Sequence, residues 1–142
     1  LDDLGVVAAI EHMADQLRLK NPGVAISVGI TERTGVMRSE RPPSDVELNL
    51  FRVVQEAVAN ALRHAHGAAV RISGDVSPAE VHLMVADNGV GLAERAADEA
   101  LRAGRLGLPS MRRRAEAIGA HLEIRGGSGN GTQVSIEWEA SR

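Results

Sequence analysis

Residues 45–64 constrain the fold more than any other stretch of the chain, because they carry two stripes at helical spacing. Leu50, Val54, Ala57 and Ala61 form an apolar line, and Glu56, Asn60 and His64 follow one another at four-residue steps beside it. Residues four apart lie nearly above one another on a helix, so a carboxylate, a carboxamide and an imidazole share one face. A helix of this kind must bury its apolar side against a second layer. The polar stripe then runs along the edge of the buried seam, where the wall of a site would stand. An ordinary amphipathic helix with a solvated face fits the same pattern, so the site reading needs support from the rest of the chain.

The flanking segments supply the second layer. Residues 3–19 read as a helix with Leu4, Val7, Ile10, Ala14 and Leu17 on one side, and Asn21-Pro22-Gly23 ends it. Residues 24–30 are rich in β-branched side chains and read as a strand. Residues 31–43, with Gly35 and a Pro-Pro pair, read as a loop holding at most a short strand. Ser44-Asp45-Val46-Glu47 has the form of a capping box, in which Ser44 accepts from the amide three residues on and Glu47 reaches back. Residues 69–75 and 80–86 read as strands joined by a hairpin-type connection. Residues 92–105 carry Ala, Glu, Asp and Arg with little apolar weight and read as a mobile segment. A helix over 107–118, with Leu108, Met111, Ala115 and Ile118 on one side, ends at Gly119. Strands over 120–125 and 132–139 flank a glycine loop. Helices interleaved with hairpin-joined strands predict an α+β fold: a two-layer sandwich whose mixed, mostly antiparallel sheet carries its helices on one face.

The chain has 142 residues, enough for one domain with one core. It holds one Phe, one Trp and no Tyr, so the core must be aliphatic and base stacking on aromatic side chains is disfavoured. The net charge of −3 provides no field that would hold a polyanion. Arg112-Arg113-Arg114 spread around a helix and read as a solvated face, so no nucleic-acid partner is expected. The absence of Cys excludes disulfides and thiolate metal sites and fits a reducing compartment. No apolar run reaches the length of a membrane span. The start lacks the pattern of a signal peptide. Because it also lacks Met, it is expected to be a mature fragment or an excised piece of a longer protein.

Three glycine-framed segments bear on function. Asp87-Asn88-Gly89-Val90-Gly91 follows a strand, and its glycines let backbone approach a flat ligand closely. An Asn-Gly β-turn accounts for the same residues. Gly104-Arg105-Leu106-Gly107-Leu108 precedes a helix, whose first amides can hold phosphate oxygens. A flexible linker is the plainer reading, and the segment lacks the ending of a Walker P-loop. Gly129-Asn130-Gly131-Thr132 reads as a hairpin turn, to which a functional reading adds the Thr132 hydroxyl.

The order and spacing of these segments are more specific than any one of them. An N-x-x-x-H helix, D-x-G-x-G, a mobile segment, a glycine-led helix and G-x-G-T together resemble the GHKL ATPase superfamily of gyrases, chaperones, mismatch-repair ATPases and histidine kinases. Within it the chain resembles the catalytic ATP-binding domain of a bacterial sensor histidine kinase, over essentially all of residues 45–139. Arg63-His64-Ala65, the spacing G-x-x-G-L and Met111-Arg112-Arg113-Arg114-Ala115-Glu116 are similar to the subfamily of nitrate, oxygen and membrane-fluidity sensors. Leu1-Asp2-Asp3-Leu4-Gly5 resembles the junction just after the dimerisation helices of that group.

The resemblance implies ATP and Mg²⁺ as cofactors and assigns roles. Asp87 accepts from the adenine amine, and Gly89, Gly91, Gly131 and Thr132 complete the base pocket. Guanine would set a carbonyl against the same carboxylate, so ATP is expected over GTP. Asn60 supplies its side-chain oxygen to Mg²⁺, which prefers hard oxygen ligands. Glu56 orients the attacking water in hydrolytic members, a role less fixed where the nucleophile is a histidine. Arg63 and His64 lie near the triphosphate, with a solvated helix end the equal alternative for His64. Gly104, Gly107 and Leu108 shape the phosphate cradle, in a box that departs from the commonest G-x-G-x-G form. Residues 92–105 form the ATP lid.

The expected arrangement is residues 1–22 as the helical end of a linker and residues 23–142 as the catalytic domain. The expected activity is transfer of the ATP γ-phosphoryl to a histidine on a separate dimerisation helix, for relay to a response regulator. The expected setting is cytoplasmic, in a parent open to membrane anchoring. The fragment is expected to be monomeric and its parent a homodimer. Two alternatives remain: an anti-sigma-type serine kinase of the same fold, and a nucleotide-responsive binding module whose catalysis has lapsed. His12 lies opposite the apolar stripe and reads as a surface histidine rather than a phosphoacceptor. His64 and His66 lack acidic or Cys neighbours at ligand spacing, so zinc is not expected.

Overall fold

A computed structural model describes residues 5–33, 41–64, 69–88, 108–127 and 131–140. In chain order these form α1 (Gly5–Lys20), β1 (Ala25–Glu32), α2 (Ser44–His64), β2 (Ala69–Val76), β3 (Glu80–Asp87), α3 (Leu108–Ala117), β4 (His121–Gly127) and β5 (Gly131–Glu139). The strands build one five-stranded sheet in the order β1-β2-β3-β5-β4. β1 and β2 are parallel, since α2 carries the chain back between them, and the other three pairings are antiparallel.

Period-2 alternation decides which face is covered. Val70 and Ile72 on β2, Val81, Leu83 and Val85 on β3, and Val134, Ile136 and Trp138 on β5 are all buried. They meet Val53, Val54, Ala57, Val58 and Ala61 of α2 and Met111 and Ala115 of α3 in one core. The intervening residues, such as Arg71, Met84 and Gln133, point to the opposite, open face. Val6, Val7, Ile10 and Ala14 bring α1 into the same core. The two-layer α+β sandwich with a mixed, mostly antiparallel sheet is thus the observed fold. Its core is aliphatic apart from Trp138. Among the described residues no helix is long and apolar enough to cross a membrane.

Two local readings of the sequence change. β1 runs on through Thr31 and Glu32, and the Arg33 amide bonds the Val76 carbonyl at 2.7 Å, because β2 offers paired backbone to its end. The capping box at Ser44 does not form. The Glu47 amide donates to the Pro43 carbonyl at 2.9 Å, so Ser44 is already helical. The Glu47 carboxylate turns away from its own helix and accepts the Val6 amide at 3.0 Å. A tertiary partner outcompetes the local one because Glu47 is buried, 3% exposed, against the start of α1.

The end of α3 follows its sequence. Gly119 takes a positive φ of 67°, its amide bonds the Glu116 carbonyl, and the Ala120 amide bonds the Ala115 carbonyl at 2.9 Å. This is a Schellman motif, and it turns the chain straight into β4. Gly74 is a glycine requirement that the strand pattern did not reveal. Its φ is 146°, and a Cβ there would lie 1.9 Å from the His82 carbonyl oxygen on β3. Gly74→Ala is therefore expected to destabilise the fold by about 3 kcal/mol and lower Tm by about 10 °C in thermal denaturation followed by circular dichroism. A Tm within 2–3 °C of wild type, about the shift from 1 kcal/mol or less, would contradict the close approach.

Candidate nucleotide site

Chain connectivity brings the polar stripe of α2 and the end of β3 to one edge of the sandwich. α2 ends at His64 and β2 begins at Ala69, so the helix C-terminus and the start of β2 are close in chain. β3 runs antiparallel to β2 and ends beside that start, with Asp87 opposite Val70. Asp87 continues the series Val81, Leu83, Val85, so it stands on the face that α2 covers. Its side chain is half-buried, as are those of Glu56 and Asn60 on α2.

Backbone contacts on both sides hold the end of β3. On the β2 side, the Asn88 carboxamide oxygen accepts the Ala69 amide at 2.7 Å, and the Asn88 amide reaches the Ala69 carbonyl at 3.3 Å. Asn88 is thus a clamp on the strand end, a role the reading as a turn residue did not include. On the β5 side, Ala86 pairs with Gln133, and the next step along both strands sets Asp87 against Thr132. Thr132 is half-buried and shares the helix-covered face with Val134. Gly131 is buried with φ 75°, and a Cβ there would fall 1.9 Å from the Asp87 carbonyl oxygen. The glycine of the G-x-G-T segment is therefore required by the backbone that carries Asp87.

On α2, Glu56 and Asn60 stand one turn apart along the margin of the buried stripe. The exposed Arg63 donates through Nη2 to Asn60 Oδ1. A guanidinium therefore lies against the carboxamide oxygen expected to face the metal and phosphates, an arrangement that spacing alone did not disclose. His64 closes the helix, and its side chain lies outside the described residues. So do Gly89, Gly91, Gly104, Gly107 and the expected lid over 92–105. Leu108 is the first residue of α3, followed by Pro109, which suits a first helical turn. Asp87, Gly131 and Thr132 are thus brought together, Glu56, Asn60 and Arg63 form a second group, and α2 packs on β3 between them.

Among the described residues, two cavities lie away from this edge. A cavity of about 560 Å³ is lined by Asp75, His82, His121 and Glu137 among others. It sits at the Glu80 end of β3, about 20 Å along the strand from Asp87. His82 Nε2 and Glu137 Oε1 are 3.7 Å apart there. Among the described residues no group of three or more His, Asp or Glu side chains could hold a metal ion. His12 is exposed on α1.

Comparison with known proteins bears on the family and the fold. Residues 45–142 match the family described as histidine kinase-, DNA gyrase B- and HSP90-like ATPases. The chain is 31% identical over 137 residues to the sensor histidine kinase LiaS of Bacillus subtilis, covering 96% of this chain and 35% of that protein. It is 32% identical over 137 residues to the oxygen sensor histidine kinase NreB of Staphylococcus carnosus, covering 96% of this chain and 37% of that protein. The chain thus spans about a third of the length of these curated relatives. The histidine kinase domain of the Erythrobacter litoralis EL346 blue-light activated histidine kinase superposes with a TM-score of 0.73 at 22% identity. That likeness covers 95% of this chain and 61% of the other, and it bears on the fold. With the family matched over α2, β2 to β5 and α3, the chain belongs to the histidine kinase-, gyrase B- and HSP90-like ATPases and is an ATP-binding catalytic domain of the sensor histidine kinase kind.

Proposed function

We propose that this domain binds Mg·ATP at the α2–β3 edge and delivers the γ-phosphoryl to a histidine on a dimerisation helix of the same parent protein. The reading is supported by the place of Asp87 at the end of β3, on the sheet face where α2 packs and presents Glu56 and Asn60 at its margin. Asp87 reads the adenine amine, supported by Thr132 across the strand pair. Arg63 and the first turn of α3 face the phosphates. Gly89, Gly91, Gly104 and Gly107 are assigned to the base and phosphate loops, and His64 to the triphosphate.

The donor set suits magnesium. Asn60 presents a hard carboxamide oxygen, half-buried, one turn from the Glu56 carboxylate. Asn60 would hold the ion, which when bound neutralises charge on the phosphates. Arg63 releases Asn60 Oδ1 as it turns to the phosphate oxygens. Glu56 orients the incoming imidazole or its proton. In the transfer a P–N bond forms, the bond between the γ-phosphorus and the bridging oxygen breaks, ADP leaves, and the imidazole's proton passes to the Glu56 carboxylate or to water. The protein's share is positioning and electrostatics, as expected for phosphoryl transfer.

Residues 1–22 then form the end of the linker from the phosphoacceptor domain, and residues 23–142 the catalytic body. A response regulator takes the phosphoryl group onward. The domain works on the cytoplasmic side, where ATP is held. The chain alone is monomeric and does not phosphorylate itself, and the parent is a homodimer. Labelled ATP given to the parent with its dimerisation helices is expected to yield acid-labile, base-stable phosphohistidine. No label, with ATP bound, would leave only the nucleotide-responsive module.

Asn60 has its own test. Asn60→Ala and removal of Mg²⁺ are each expected to weaken ATP binding about 10-fold, and together little more than either alone, because both act through one ion. Isothermal titration of the four combinations measures this. Additive losses would remove Asn60 from the metal.

A further inference from the structure

Helix α1 takes an acceptor for one of its first amides from a distant part of the chain. Its last turn carries Arg18 and Lys20, which suit a helix C-terminus, but its first turn holds no acidic residue. The first amides of a helix have no intrahelical acceptor. Here the acceptor comes from another helix: Glu47, in the first turn of α2, takes the Val6 amide on Oε2 at 3.0 Å. Its Oε1 lies 3.6 Å from Arg41 Nε, in the segment that leads into α2. Glu47 is the one buried charged residue among those described. Gly5 makes the approach possible, since with φ 84° a Cβ there would press to 3.2 Å on both Arg41 Nη1 and Glu47 Oε2. The start of α1 is thus capped from α2, the helix that presents Glu56 and Asn60 further along.

We propose that Glu47 is a positioning residue for phosphoryl transfer: by capping α1 from α2, it fixes the direction in which the upstream chain leaves the ATP-binding core. This rests on the reading of the preceding subsection, in which the phosphoacceptor histidine lies upstream. Val6, Val7 and Ile10 bury α1 against the core, yet burial alone tolerates sliding along the helix axis. A directional hydrogen bond to one amide does not. A shift at the start of α1 must either strip a buried carboxylate of its donor or carry the first turn of α2 along.

The test uses two proteins. In the 142-residue chain, Glu47→Ala is expected to speed hydrogen exchange at the Val6 amide about 10-fold or more. Glu47→Gln keeps an acceptor oxygen and is expected to hold that exchange within about threefold of wild type. In the parent, Glu47→Ala should lower the kcat of autophosphorylation about 10-fold with the KM for ATP unchanged, and Glu47→Gln should largely restore it. Gly5→Ala approaches the junction from the other side and should give the same split, which covers the case of a poorly folded Glu47→Ala. Unchanged Val6 exchange in Glu47→Ala, or a free Val6 amide with unaltered kcat, overturns the proposal. A fall in kcat matched only by the loss of folded protein also overturns it, because that is a purely structural role. A wild-type parent that binds ATP yet forms no phosphohistidine overturns the kinase reading itself, and this inference with it. A wild-type parent that forms phosphohistidine confines any failure to Glu47.

Discussion

Asp87→Asn is expected to weaken ATP binding about 100-fold, a loss of about 3 kcal/mol, while leaving the fold intact. An ionised carboxylate accepts from the adenine amine with a charge-assisted bond, roughly twice the strength of a neutral one. The amide is nearly the same size, but half of it is a donor, and a donor facing the exocyclic amine leaves both groups unpaired. The surroundings give it little room to adapt. Asp87 closes β3 with Val70 on one side and the Gly131 backbone on the other. Asn88 pins the next residue to Ala69. The backbone that carries the side chain is thus held on both sides. Because Asp87 is only half-buried and ends its strand, Tm should move by a few degrees at most, the range of about 1 kcal/mol. Calorimetric titration with ATP in Mg²⁺ measures the loss. Affinity within about threefold of wild type would remove Asp87 from the base pocket. Adding GTP sharpens the result, since the carboxylate repels a guanine carbonyl and the amide does not, so the preference for ATP over GTP should collapse in the variant.

Most of the fold could be read from the sequence because local and tertiary preferences agree. The stripe Leu50, Val54, Ala57, Ala61 is buried along its whole length, since one apolar side of α2 had only one sheet to cover. Met111, Ala115 and the stop at Gly119 followed for the same reason. The misses fall where a distant partner outbids a neighbour. Glu47 had the spacing of a local cap, but the buried start of α1 offered it an amide within reach. Gly74 sits inside a strand that pattern alone would fill with any residue, and only the close passage of β3 explains it. In the proposed site, Asp87, Thr132, Glu56 and Asn60 were assigned by spacing and resemblance. The hold of Arg63 on Asn60 and of Asn88 on Ala69 was not, because those bonds depend on rotamers and strand register that a one-dimensional pattern does not encode.

Gly131→Ala is expected to lose about 3 kcal/mol of stability and, in the protein that remains folded, to bind ATP at least about 10-fold more weakly. Two separate penalties meet at this residue. Its φ of 75° is a conformation that an L side chain occupies only with strain. A Cβ built there would also lie 1.9 Å from the Asp87 carbonyl oxygen and 2.9 Å from Asn88 Cα, so backbone rather than a yielding side chain must move. Gly119→Ala separates the two penalties, because Gly119 has a similar φ of 67° but nothing within 4 Å of the added methyl. That variant should lose only about 1 kcal/mol, from conformation alone. The collision at Gly131 then shows as the excess, and its direction matters for function. The atoms struck belong to Asp87 and Asn88, so relief of the clash pushes the end of β3 away from β5 and moves the carboxylate from its place opposite Thr132. A displacement of about 1 Å at a recognition group is enough to cost an order of magnitude or more. Thermal denaturation of both variants, with ATP titration of Gly131→Ala below its Tm, tests the chain of steps. Equal stability losses at the two glycines would remove the steric link between Gly131 and Asp87, and a destabilised Gly131→Ala with wild-type affinity would show that the end of β3 does not hold the adenine.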